Sequence, residues 1–145
     1  PQMLDAEHFR GMANLLLMCE GARVLLTDNT WVEAGLMNGA IGTLVGFMWP
    51  EGGDPNSSNP KLRTPLCCIV ELDDVNLKDE SGVPRTFFPG EPHKARWVPV
   101  FRKTVYSIDD EGVCRIQFPL ALAWALTHWK AQGMTLRRAI VCSTK

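Results

Sequence analysis

Ala125-Leu126-Thr127-His128-Trp129-Lys130-Ala131-Gln132-Gly133-Met134-Thr135-Leu136 follows directly on Pro119-Leu120-Ala121-Leu122-Ala123-Trp124. In the lead-in, the bulky Leu120, Leu122, Trp124 and Leu126 alternate with Ala121, Ala123 and Ala125. That period of two predicts a strand apolar on both faces, as inside a helix-covered α/β sheet. An alanine-rich helix is the rival reading, and periodicity alone leaves it open. Thr127 to Gln132 can form a short helix, with Thr127 near its N-cap and Gly133 beyond its end. A strand running into a helix leaves backbone N–H groups unpaired at the helix start, and with the Thr127 hydroxyl they suit a phosphate oxygen. Lys130 adds a cation one turn on, and Gln132 an amide that both donates and accepts. On chemistry alone the plainer reading, a Gly-capped surface helix with a solvated lysine, has the stronger claim.

Working outward, Arg138 to Ser143 reads as a further strand. Upstream, Ala22 to Thr27 reads as a buried strand closed by Asp28-Asn29. Asn38-Gly39 signals a turn needing positive φ, and Gly42 to Phe47 follows as a strand whose glycines suggest bulges or close backbone approach. Residues 50–65 are rich in Pro, Gly, Asn and Ser and read as a mobile surface loop without fixed structure. Leu66 to Leu72 is the next strand. Arg96 to Ser107 and Val113 to Phe118 read as a strand pair about an acidic turn, and residues 1–14 give only a weak helix signal. Short strands with turn signals between them suggest a small, strongly bent β-barrel.

The 145 residues leave room for one domain, or for a small domain inserted into part of another. Net charge is −1, so any nucleic-acid contact must come from local cations rather than from the overall field. Lys94, Arg96, Arg102 and Lys103 are the candidate cluster, with Trp97 as a stacking platform; a solvated strand face with Trp97 in the core is the plainer alternative. The five cysteines, Cys19, Cys67, Cys68, Cys114 and Cys142, include no C-x-x-C pair, and vicinal Cys67 and Cys68 point to opposite strand faces. With three scattered histidines, this pattern predicts no metal site and no disulfide framework, and reduced thiols of an intracellular protein instead. Nucleus, cytoplasm and organelle are not distinguished. The longest apolar run, Phe118 to Leu126, is too short to span a bilayer as a helix. Residue 1 is Pro, and the ends read as cuts through something longer.

Two segments resemble RecD/Pif-type DNA helicases of superfamily one. The first is similar to their motif V, A-x-T-I-H-K-S-Q-G-x-T-L, at Ala125, Thr127, Lys130, Gln132, Gly133, Thr135 and Leu136. It departs at His128, Trp129 and Ala131, where the family has an aliphatic residue, His and Ser; an indole can stack on a base but cannot make the hydrogen bonds of the usual His. The second, Gly21-Ala22-Arg23-Val24-Leu25-Leu26-Thr27-Asp28-Asn29 followed by Gly35-Leu36-Met37-Asn38-Gly39 and Gly42, resembles G-A-x-V-M-L-x-x-N … L-V-N-G-x-x-G. Trp97-Val98-Pro99-Val100, Arg115 and Gln117-Phe118-Pro119-Leu120 resemble further family pieces, and the likeness runs from about Leu15 to Val141.

The resemblance implies a mixed α/β, β-rich fold, with a small SH3-like β-barrel (37–118, its flexible loop at 50–65) inserted into a partial second RecA-like lobe (1–36 and 119–145). It implies an ATP-dependent 5′-to-3′ DNA helicase. Thr127, His128, Trp129 and Lys130 would lie on the single-stranded DNA track, and Gln132 and Gly133 would couple that track to the nucleotide cleft. Asn38, Gly39 and Gly42 would be structural turn residues. No catalytic residue is expected in this chain. No G-x-x-x-x-G-K-[ST] phosphate loop occurs in it, and the family's phosphate-sensing arginine would follow Lys145. ATP and Mg²⁺ would belong to the longer protein, with none bound here. The implied partners are single-stranded DNA, bound weakly by this chain alone, and the missing first lobe, but no membrane. The alternatives are a stand-alone β-barrel binding module and a non-functional remnant of a helicase or mobile-element gene.

Overall fold

The computed structural model describes residues 5–75, 77–78, 81–110, 112–126 and 140–142. Among the described residues seven strands form: β1 (Arg23–Leu26), β2 (Ile41–Met48), β3 (Cys67–Leu72), β4 (Trp97–Phe101), β5 (Lys103–Tyr106), β6 (Cys114–Gln117) and β7 (Leu120–Leu122). Five of them build one sheet in the order β4-β3-β2-β1-β7, while β5 and β6 make a separate ribbon. Every neighbouring pair is antiparallel. Among the described residues the helical elements are short 3-10 turns at Ala6–Phe9, Val32–Ala34 and Pro92–Lys94. The chain is strand-rich.

The core follows from the period of two. On one face of the sheet Val24 and Leu26 of β1, Leu44 of β2, Cys68, Val70 and Leu72 of β3, and Val98 and Val100 of β4 pack together. Leu120 and Phe118 close the cluster beside them. Leu25, Cys67 and Ile69, on the alternate positions, are buried as well. Cys67 and Cys68 therefore occupy opposite faces, both dry. Burial pushes the Cys68 thiol up to about 12, with a further contribution from Cys67. Pairing of β2 with β3 slips between Leu44 and Gly46, a bulge that leaves Val45 as the extra residue.

Three readings change. Arg96 to Ser107 is not one strand: β4 pairs with β3, whereas β5 pairs with β6, and the chain turns away at Arg102. As an edge strand β4 can carry Pro99, which has no N–H to offer a further strand. The lead-in to the motif segment is strand only over Leu120–Leu122, at the opposite edge, antiparallel to β1. Leu122 is 41% and Trp124 69% exposed, so the expected two-sided burial is not found among the described residues. The loop at 50–65 is not without structure either. Asp54 and Asn59 side chains accept backbone N–H groups two residues on, as Asx turns do, and the Asp54 N–H closes the loop onto the Leu62 carbonyl.

The strands on both sides of residues 37 and 118 share this single sheet. The N-terminal segment reaches the far ribbon. Phe9 is buried beneath the Arg115 guanidinium, 3.9 Å from its ring centre, and the Ile108 N–H donates to the His8 carbonyl.

Candidate nucleic-acid interface

Thr127, His128, Trp129, Lys130, Gln132 and Gly133 lie outside the described residues, as do Arg138, Ala139 and Ser143 of the strand expected from Arg138 to Ser143. The described residues between them, Ile140 to Cys142, are exposed and form no strand, since no described strand pairs with them. What the structure shows is how the chain is delivered to them. The Pro119 carbonyl accepts the Thr27 N–H at 2.9 Å, Leu120 is buried, and the Ala123 N–H donates to the Arg23 carbonyl at 2.8 Å. The motif segment thus departs from the edge of the sheet, tied to β1 at each end of β7.

β1 also carries the second motif, and there the sequence positions act together. After Leu26 the chain loops out and returns at Gly39, whose φ of +97° favours glycine. The Gly39 N–H donates to the Leu26 carbonyl, and the Leu26 N–H to the Ala40 carbonyl. Asn29 braces the loop: its Oδ1 accepts the Asn38 N–H at 2.8 Å. Asn38 and Gly39 form the turn itself. Gly42 lies inside β2, and its need is space rather than φ. A Cβ there would fall 2.5 Å from the Glu71 carbonyl oxygen and 2.7 Å from Cγ1 of Val70.

The candidate cations are dispersed. Lys94 pairs with Glu91 and sits over the faces of Trp97 and Phe88, at 5.0 and 5.6 Å from their ring centres. Phe88 and His93 approach Trp97 edge-on. Trp97 is consequently half-buried and flanked, neither a free platform nor a core residue. Arg96 pairs with Glu71 at 2.7 Å and donates to the Asp73 carbonyl. Lys103 pairs with Asp28 across the β1 loop. Arg102 is exposed, with no partner among the described residues. Arg23 holds Asp73 and also donates to the Thr43 hydroxyl. This hydrogen bond from Arg23 keeps the Asp73 carboxyl below its usual range, against a smaller opposing effect of burial. Among the described residues no three His, Cys, Asp or Glu side chains converge as metal ligands, and no helix is long and apolar enough to cross a membrane.

No family model matches the chain. The human ATP-dependent DNA helicase PIF1 is 34% identical over 125 residues, which take in 86% of this chain and 15% of that protein. The zebrafish ATP-dependent DNA helicase PIF1 is 34% identical over 135 residues, 93% of this chain and 16% of that protein. The chain belongs to the Pif1-type helicases. It spans about 15% of the length of these curated Pif1 relatives. Among solved structures, one of two coordinating Pif1 helicases unwinding forked double-stranded DNA matches 83% of this chain and 20% of that one. Its TM-score is 0.48 at 26% identity.

Proposed function

We propose that the chain is part of the second motor lobe of an ATP-dependent 5′-to-3′ DNA helicase, and that it supplies a portion of the single-stranded DNA track. In this reading Thr127, His128, Trp129 and Lys130 face the strand, and Gln132 and Gly133 pass its state to the nucleotide cleft. One observation carries the reading. The zebrafish helicase aligns with 93% of the chain, so wherever the uncovered residues fall, Thr127 to Gly133 lies within the aligned span. The strand-rich unit acts as an SH3-like barrel inserted into the lobe, and because β1 and β7 share a sheet with β2 its limits lie outside 37–118; the first lobe is the partner that completes the cleft.

Phosphoryl transfer from ATP needs a phosphate cradle, a metal on the β- and γ-oxygens, and a cation at the developing charge. The sequence holds no phosphate-loop motif. ATP and Mg²⁺ are therefore assigned to the longer protein. A phosphate-release assay on the isolated chain, with Mg²⁺ and saturating single-stranded DNA, tests the assignment. Background hydrolysis is expected, and turnover that survives repurification would mean that the chain holds a nucleotide site of its own.

A further inference from the structure

A cleft of about 350 Å³ opens where the loop after β1 meets the junction of β4 and β5. Leu26 and Leu36, almost fully buried, form its floor, and Pro99 and Pro119 belong to its walls. Asp28, Asn29 and Thr30 lie along one side of the rim, with Phe101, Arg102 and Lys103 along the other. None of these residues belongs to the motif V segment. The volume is at the lower end of that of small-molecule sites, roughly 300–1,000 Å³, which suits one base with its sugar and excludes a folded element of another protein.

The rim chemistry narrows the class. Asp28 is neutralised by Lys103, so Arg102 retains the unbalanced charge at the mouth and favours an anion. Its planar fork suits a phosphate oxygen. Phe101, 60% exposed, provides an aromatic surface of the kind on which unpaired bases stack. Asn29 is exposed and oriented by its own hydrogen bond: because Oδ1 accepts from a backbone N–H, the amide nitrogen is the end left over. That NH₂ and the Thr30 hydroxyl can donate to the carbonyl and ring-nitrogen acceptors of a base edge. Cation, amide and hydroxyl would serve any anion with acceptor oxygens; the exposed ring beside an apolar floor is what matches an unstacked nucleotide better than a carboxylate.

We infer that this cleft binds one nucleotide of a single DNA strand, with Arg102 on its phosphate, Phe101 against its base and Asn29 and Thr30 at the base edge. The inference rests on the DNA-helicase reading and adds to it a second contact point on the strand. It is tested on the 145-residue chain by amide-resolved NMR titration with oligothymidylate and, separately, with thymidine monophosphate. Oligothymidylate should shift the Asn29 side-chain amide and the backbone signals of Thr30 and Arg102. Arg102→Glu should weaken those shifts at least tenfold while leaving the rest of the spectrum in place. Arg102→Gln, which keeps the stem and loses the charge, should fall between. The inference is overturned if the cleft signals stay fixed, if they move only with the mononucleotide, or if they move equally in Arg102→Glu. None of those results touches the helicase reading, which the phosphate-release assay and Lys130 address on their own.

Discussion

Replacing Gly42 by alanine should cost the sheet more than any other single methyl at a described glycine of β2. The added Cβ would meet the Glu71 carbonyl oxygen at 2.5 Å, Cγ1 of Val70 at 2.7 Å and the Glu71 carbonyl carbon at 3.0 Å. Two of these three atoms are backbone, and the Val70 side chain is fully buried with no room to swing. Relief requires β2 to separate from β3 where Gly42 pairs with Leu72. Overpacking of this kind costs ~1–3 kcal/mol, and a ladder hydrogen bond strained or lost adds ~1 kcal/mol. Restricting the unfolded chain returns only ~0.4–1 kcal/mol. The net expectation is a loss of ~2–3 kcal/mol. With a urea slope of about 2 kcal/mol per molar, the unfolding midpoint should fall by ~1–1.5 M. Gly46→Ala is the internal control, since the nearest atom to its Cβ is Oε1 of Glu20 at 3.9 Å, and its midpoint should stay within about 0.5 M of the parent. Equal midpoints for Gly42→Ala and the parent chain would refute the close approach of β2 and β3.

Two further outcomes follow from the same geometry. Asp73 has its folded pKa lowered, chiefly by the hydrogen bond from Arg23, so the stability it contributes is present above the ordinary carboxylate value of ~3.9 and is lost as pH falls through the folded value. The gap between the parent chain and Asp73→Asn in urea unfolding should hold from pH 7 to about 5 and close in stronger acid. Half-exposed as Asp73 is, that gap should stay below ~1 kcal/mol, and a gap that widens in acid would contradict the pairing. Thiol labelling at neutral pH should reach the exposed Cys19, Cys114 and Cys142 and spare Cys67 and Cys68 until the chain unfolds. Rapid modification of all five in native buffer, read by mass, would contradict the burial of β3.

What the sequence disclosed was mostly local. The runs at Ala22–Thr27, Gly42–Phe47 and Leu66–Leu72 carry their own strand signal, and each is a strand within a residue or so of those bounds. Asn38-Gly39 announced its turn because only a few residues accept that backbone. The break at Arg102 was hidden, since neither glycine nor an Asn-Gly pair marks it, and its cause is which strand each half pairs with. The antiparallel match of β7 to β1 joins segments as far apart as Val24 and Leu122, and alternation at Leu120 to Leu126 says nothing about which neighbours exist. The same holds for the cleft: Asp28 and Lys103 stand 75 residues apart, so the rim they share had no sequence signature. Asn29 was visible within its motif, but its side chain's role was not. At Trp97 the composition could not show that Lys94 covers the ring. Motif V was readable only through resemblance, because Thr127, Lys130 and Gly133 by themselves describe an ordinary capped helix.

Lys130 offers the most direct test of the central claim. In a longer protein that carries this segment together with the nucleotide-binding lobe, Lys130→Ala should lower DNA-stimulated ATP hydrolysis by at least about tenfold, equivalent to ~1.4 kcal/mol of transition-state stabilisation. The thermal midpoint should remain that of the parent protein. A solvated lysine remote from DNA would change either quantity by no more than ~0.5 kcal/mol. Hydrolysis and unwinding rates equal to those of the parent protein would contradict the assignment of this segment to the DNA track.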